Sequence, residues 1–342
     1  MECRHDPRSV GSEGHFPYPV GWSRFFGVAP CGCVRRMGGV SAEEAQSVSV
    51  VIPAFNAERT LGAVLDALTH DPQRPDEVIV VDDGSTDLTA QIARAHGARV
   101  VDGGRVGYAG GARNRGWDAA TGDVVVFLDS DAVPLPGFGE GVRRAAREFP
   151  GAIVGCARRF APHTAWSWVA HLQIETPYLE RGRPRDVKFV SSYCMLVPRA
   201  LDLRFDESYG GEDAVFSADA LDRGIRLVFD PRYAALHDHD RDTFAKLRRQ
   251  QARVAFAAAR IGPVQREGTR KRIASRVPLH YFALMRLPVI YRRLDEDPAL
   301  RRRFVRLLPL MAVGEWTLGA YAVRYAVRPR PHLRDQGDAG FR

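Results

Sequence analysis

From Ser47 onward two hydrophobic spacings alternate along the chain. "SVSVVIPAFN" (47–56) is a β-branched run closed by Pro53, the pattern of a parallel strand buried on both faces and ending in a loop. Leu61, Val64, Leu65 and Leu68 then recur at i, i+3, i+4 and i+7, one face of an amphipathic helix. "DEVIVVDDGSTD" (76–87) repeats the scheme with a short strand, a Gly-Ser turn and a helix through Ile92 and Ala93. "ARVVDGG" (98–104) reads as a third strand. A glycine-rich stretch leads into a helix, "ARNRGWDAATG" (112–122), that Gly122 is expected to end, and "DVVVFLDSD" (123–131) is a fourth strand.

Four strand–helix alternations predict an α/β fold, a mostly parallel sheet flanked by helices. Ligands of such sheets bind at the carboxyl ends of the strands, where Asn56, Asp82, Asp83, Asp129 and Asp131 fall. The second half is mixed. "KFVSSYCMLVPRAL" (188–201) holds another apolar strand, "FDESYGGEDAVFSADALDRG" (205–224) a loop and a helix, and "IRLVFDP" (225–231) and "YAALHDHD" (233–240) are strand-like. Beyond Thr243 the pattern is helical, with Phe244, Leu247, Val254, Ala258 and Ile261 as the expected apolar face. The organisation expected is a poorly ordered segment 1–46, an α/β domain 47–242, a helical basic and apolar extension 243–330, and a tail 331–342.

Composition changes this picture in two ways. Of the formal net charge of +8, residues 241–306 contribute 18 Lys/Arg against 5 Asp/Glu, or +13, so the remainder carries 8 − 13 = −5. A basic extension on a slightly acidic domain points to an anionic partner surface. The five cysteines lack disulfide or zinc spacing, and residues 1–46 lack a continuous apolar signal segment, so a cytoplasmic location is expected.

The chemistry-bearing stretches each have a functional and an ordinary reading. "DSD" (129–131) closes an apolar strand with two carboxylates, which a hard divalent cation would neutralise; a solvated turn is the alternative. Asp83 can accept from a base or ribose, while Ser85, Thr86 and Asp87 suit a helix start. "GYAGGARNRG" (107–116) combines a close-approach backbone with Arg113 and Arg115, suited to phosphate, but it is neither a P-loop nor a dinucleotide fingerprint. Glu212 and Asp213 follow a glycine pair at a helix start, where one could serve as a general base or both could be a plain acidic first turn. His237 and His239 sit near a strand end, and spacing does not choose between them as metal ligands.

In this order, over roughly residues 47–240, these stretches resemble the family 2 glycosyltransferases, which have the GT-A fold. The resemblance implies that Pro53 and Phe55 contact the base, that Asp83 bonds it, and that Arg113 is the donor-site arginine. It implies Asp129 near the ribose, and Asp129, Asp131 and His237 around Mn²⁺ or Mg²⁺. His237 fits better than His239 because it ends the "YAALH" strand. "GED" (211–213) matches the E-D motif, with Glu212 at the substrate and Asp213 as general base of an inverting displacement from a nucleotide-sugar donor, UDP-sugar being favoured. The chain departs from the family at Val215 and Asp219, where many members have an acid and an arginine. "QQARV" (250–254) has Val254 where processive synthases have tryptophan, which implies a single transfer.

The stretches 277–294 and 304–325 are the most apolar, but Arg306, Pro309 and Glu315 interrupt the second. Helices lying on a membrane surface, anchored by Trp316, Tyr321 and arginines, are expected ahead of docking on the domain or spanning. A lipid-linked acceptor or cell-envelope glycan precursor follows as an expectation. Nucleic acid is not expected, because aromatics are not interleaved with the basic stretch. The rival readings are an inactive GT-A-fold scaffold at the membrane and a nucleotidyltransferase, whose glycine-rich loop with lysine is missing after the first strand.

Overall fold

The structure, a computed structural model, describes residues 46–327 apart from 106, 176–178, 180–181, 208–210, 238–240, 265–278 and 295–296. Residues 1–45 of the expected segment 1–46, the expected tail 331–342, and His239 lie outside the described residues.

The first half follows the predicted alternation: β1 (Val48–Ala54), α1 (Leu61–His70), β2 (Glu77–Asp82), α2 (Thr89–Ala95), β3 (Arg99–Asp102), α3 (Ala109–Ala119) and β4 (Val124–Leu128). β1 pairs in parallel with β2 and β4, and β2 with β3. α1 buries Leu61, Val64, Leu65 and Leu68, the stripe its periodicity predicts. Two boundaries differ. Pro53 does not close β1, which runs on to Ala54 in register with Asp82. α3 stops before Gly122, whose role is contact: a Cβ there would lie 2.8 Å from the Ser49 nitrogen.

The second half continues with β5 (Ala132–Pro134), α4 (Phe138–Glu148), β6 (Ile153–Arg159), α5 (Ala165–Ala170), a π-helical turn (His171–Glu175), β7 (Arg185–Asp186), β8 (Cys194–Pro198), α6 (Glu212–Asp222) and β9 (Leu227–His237). Among the described residues, all nine strands join one mixed sheet in the order β3-β2-β1-β4-β8-β6-β9-β5, with β7 on β9. β8 is the antiparallel seam between the parallel first half and the parallel β6–β9 pair. The two strand-like stretches at 225–240 form the single strand β9, because the register shift opposite Cys156/Ala157 absorbs Pro231. Buried Asp230 holds this bulge by accepting from the backbone and guanidinium of Arg232. A proline without an N–H is tolerated in a strand at such an irregularity.

Two apolar layers flank the sheet. α1 and α4 pack on one side through Leu65, Leu68 and Val142. Trp117 of α3 and Phe216 of α6 pack on the other, with Phe127 and Phe205. α3 lies so close to the sheet that a Cβ on Gly116 would fall 2.2 Å from Val51 Cγ1.

The extension comprises α7 (Phe244–Val264), α8 (Leu279–Arg293), α9 (Pro298–Arg306) and α10 (Leu308–Val327). Its helices share a core with α5 and the π-helical turn, built on Leu172, Leu247, Ile290, Phe304 and Met311. α7 buries Leu247, Gln251, Ala252, Ala255 and Phe256, a face turned from the expected one because Phe256 meets Tyr325 of α10. Phe244 and Val254 are half-buried, and the side chains of Ala258 and Ile261 lie outside the described residues. Inside this core Arg286 donates to Glu315 at 3.0 Å and to the Gln173 carbonyl at 3.1 Å. Gln251 in turn donates to the Gln173 side chain at 3.0 Å. Burial pushes the Glu315 carboxyl up to about 7, because Arg286 offsets only part of the desolvation. Among the described residues no helix is long and apolar enough to cross a membrane.

Candidate active site

The turn after β4 is fixed at both ends by backbone bonds. Asp129 N–H donates to the Tyr193 carbonyl at 2.9 Å, and Ala132 N–H donates to the Asp129 carbonyl at 3.0 Å. β5 then runs antiparallel to β9 with Ala132 opposite His237. This register brings His237 Nε2 to 3.1 Å from Asp131 Oδ1. Asp129, Asp131 and His237 each present one ligand atom, and the three atoms lie within 4.8 Å of one another. Two carboxylates and one imidazole are a donor set for a small divalent cation.

Arg113 reaches this cluster from α3 and is almost wholly buried, at 3% exposure of its side chain. It donates to Asp129 Oδ1 at 2.7 Å and to Glu212 Oε1 at 2.8 Å, joining the β4 turn to the start of α6. Burial pulls its pKa down, but Asp129 and Glu212 more than reverse this, so the guanidinium stays charged. Asp129 is held above the usual carboxylate range by burial and by Asp131, against the pull of Arg113 and His237. The cluster is therefore short of positive charge, which is the electrostatic condition a bound cation would satisfy.

Gly211, with φ of +94°, turns the chain into α6 so that Glu212 and Asp213 occupy its first turn. Burial, then the neighbouring Glu212, push the Asp213 carboxyl up to about 7; Arg113 and the N–H groups of Ala214 and Ser192 pull the other way. Glycine at 110 permits α3 to reach the loop before α6, since a Cβ there would lie 2.2 Å from the Asp206 carbonyl oxygen.

The remaining predicted residues line the neighbouring strand ends. Pro53 is half-buried and Phe55 exposed beyond β1. Asp83 is buried, and its carboxylate accepts from Gly107 N–H at 2.7 Å, tying the β2 loop to the loop before α3. Asn56, at φ of +48°, accepts from Thr86 N–H at 2.9 Å on its side-chain oxygen and donates its own backbone N–H to Ser85 Oγ. Asp87 accepts from Thr89 N–H at 3.0 Å at the start of α2. The site thus gathers Asp129, Asp131, His237, Arg113, Glu212 and Asp213, with Pro53, Phe55 and Asp83 on the adjoining edge.

Two residues that the sequence did not single out support His237. The Tyr193 ring stacks on the His237 ring at 5.5 Å between centroids and 14° between planes. Its hydroxyl donates to the Cys156 carbonyl at 2.8 Å. The Arg158 guanidinium lies 3.7 Å from the Tyr193 ring centroid and donates to Ser191 Oγ. No local pattern announces this column, because it exists only through the pairing of β6, β8 and β9.

Comparison with known proteins agrees with this fold. Residues 49–204 match the sequence profile of glycosyl transferase family 2. A stretch of 108 residues is 42% identical to glucosyl-3-phosphoglycerate synthase of Mycobacterium tuberculosis, covering 29% of this chain and 33% of that protein. A stretch of 93 residues is 40% identical to the amylovoran biosynthesis glycosyltransferase AmsB of Erwinia amylovora, covering 25% of this chain and 31% of that one. The chain thus spans about a third of the length of these curated relatives. Among solved structures, the mannosyltransferase PcManGT from Pyrobaculum calidifontis, in complex with GDP-Man and Mn²⁺, superposes with a TM-score of 0.54. It is 19% identical, over 85% of this chain and 89% of that one, and it shows a shared GT-A fold.

Proposed function

We propose, from the premise that residues 49–204 belong to glycosyl transferase family 2, that the protein moves one sugar from a nucleoside diphosphate donor to an acceptor hydroxyl. The observation that carries this reading is the Asp129–Asp131–His237 cluster, joined through Arg113 to Glu212 beside Asp213. Mn²⁺ or Mg²⁺ held by Asp129, Asp131 and His237 would supply the positive charge that stabilises the departing diphosphate. Arg113 orients Asp129 and Glu212 and keeps a fixed positive charge between them.

Asp213 is the general base. Held near 7, its carboxylate is ionised over a useful part of the neutral range and basic enough to take the acceptor hydroxyl proton. The acceptor oxygen then bonds to the anomeric carbon as the bond to the diphosphate oxygen breaks, and that oxygen leaves with the electron pair. One base suffices, so the product is inverted. Pro53, Phe55 and Asp83 form the nucleobase edge, and a UDP-sugar is the favoured donor. The acceptor is read as a lipid-linked or cell-envelope glycan hydroxyl, met at the cytoplasmic face of a membrane.

The experiment is a set of thermal melts with UDP, GDP, dTDP or CDP, each with Mn²⁺ or with EDTA. A diphosphate at about a hundredfold its dissociation constant adds roughly 2.7 kcal/mol. The expected result is a Mn²⁺-dependent rise with one diphosphate that Asp131→Ala abolishes. Folded protein that responds to none of them would refute the reading.

A further inference from the structure

Among the described residues, α9 and α10 carry large apolar side chains that are exposed on the outside of the extension's core. Among the described residues six large hydrophobic side chains are exposed, and four of them are Val305, Leu308, Val313 and Trp316, at 56%, 42%, 44% and 51% exposure. Pro309, Val313, Trp316 and Ala320 are all exposed and recur at i, i+4, i+7 and i+11, which places them on one side of α10. The opposite side holds the helix to the core through Met311, Gly314 and Glu315, all buried. A Cβ on Gly314 would lie 2.5 Å from the Gln173 side-chain nitrogen, so that side is already in close contact.

Charge says what this face meets. Residues 298–327 contain five arginines and one acid. The acid is Glu315, fully buried against Arg286. Arg302, Arg303 and Arg306 are exposed at one end of the stripe and Arg324 at the other. An apolar ridge with an arginine-rich rim and a tryptophan at its middle has the chemistry of an interfacial helix on an anionic bilayer. A second copy docking through the same face would bring arginines against arginines, which disfavours an isologous contact.

We infer that α9 and α10 form a lipid-docking surface: Val305, Leu308, Val313 and Trp316 enter the boundary of an anionic leaflet while the flanking arginines hold its headgroups. This narrows the membrane contact expected from the whole extension to one face. It also reverses the expected role of Tyr321, which is half-buried and stacked on Tyr325 at 6.1 Å. The inference stands on this face alone and does not require the transferase reading.

The test is co-sedimentation of the full chain with vesicles of phosphatidylcholine containing about one-third phosphatidylglycerol, against pure phosphatidylcholine, at low and high salt. Binding is expected to the anionic vesicles only, to weaken with salt, and to fall about tenfold or more in the V313Q/W316Q double variant, whose fold is checked by circular dichroism. Brominated lipid is expected to quench tryptophan fluorescence in the wild type and much less in Trp316→Phe, which keeps an aromatic anchor. No binding to anionic vesicles, equal binding by the double variant, or undiminished quenching in Trp316→Phe would overturn the inference. So would a dimer in light scattering that the double variant loses while neither protein binds vesicles, since the face would then be a self-association surface. The nucleotide-dependent melt is run on both proteins, so failure here and failure of the donor reading are told apart.

Discussion

Replacing Glu315 with glutamine tests the electrostatics of the helical extension without any knowledge of substrates. Glu315 is fully buried, and its carboxyl rises from 4.5 to about 7 on folding, with burial as the largest cause. A group whose folded pKa is raised binds its proton more readily in the native state. Its contribution to stability is complete below the unfolded pKa and is lost as pH rises through the folded one. At 1.36 kcal/mol per unit, a rise of that size corresponds to on the order of 3 kcal/mol, lost between about pH 4.5 and pH 8. Glu315→Gln keeps the shape and removes the titration. Urea unfolding followed by tryptophan fluorescence should therefore give two pH profiles that diverge. The variant should gain about 3 kcal/mol relative to wild type on going from acid to mildly alkaline pH, although it has lost an ion pair. Parallel profiles would refute the reasoning and mean that Arg286 fully balances burial, and profiles diverging in the opposite sense would mean that it outweighs burial. Arg286→Met serves as the complementary case: it leaves the acid without its cation and should cost about 3–5 kcal/mol near neutral pH.

Four further outcomes follow from the site and the sheet. Asp213→Asn should lower turnover about 10²- to 10⁴-fold while the nucleotide-dependent melt persists. In the wild type kcat/KM should rise with pH through a limb centred near 7, where burial and Glu212 hold this carboxyl; a pH-independent rate between 5 and 9, as for an unperturbed aspartate, would remove Asp213 from the role of base. Tyr193→Leu removes the ring stacked on His237 and should weaken Mn²⁺ binding about 10- to 100-fold by paramagnetic resonance titration, with Tyr193→Phe closer to wild type. Gly116→Ala puts a methyl against Val51 and should destabilise by about 1–3 kcal/mol in urea unfolding, with the secondary-structure spectrum unchanged.

What the sequence made legible was what short-range spacing encodes. Leu61, Val64, Leu65 and Leu68 specify the buried side of α1 because a helix repeats every 3.6 residues wherever it sits. The apolar run ending at Asp129 announced both β4 and the charged tip of its strand. β6 was not legible: Gly155 and Arg158 interrupt its apolar run, and its place is set by pairing with β8 and β9. α4 escaped notice because its apolar content is low and two of its buried positions are glycines, Gly139 against the Gln73 carbonyl and Gly141 against Tyr233. For the site, two carboxylates at a strand end indicated Asp129 and Asp131 as candidates, and a glycine pair opening a helix indicated Asp213. The register of β5 on β9, invisible in one dimension, is what brings His237 to Asp131. The support of His237 by Tyr193 and Arg158 needed three strands distant in sequence.

The antiparallel seam also has a consequence for how the chain is made. β3, β2, β1 and β4 are all present once residue 128 has been synthesised, but the partner of β4 on its other edge, β8, begins only at Cys194. During the intervening 193 − 128 = 65 residues, β4 presents an open edge whose five side chains are all buried in the finished protein. At a translation rate of about 5–20 residues per second, that edge waits for roughly 3–13 s. An apolar strand with unpaired N–H and carbonyl groups is a template for association with other nascent chains over such an interval. Biosynthesis of this protein therefore passes through a stage at which a holding chaperone, or slow emergence of the seam strand, decides how much of it reaches the native sheet.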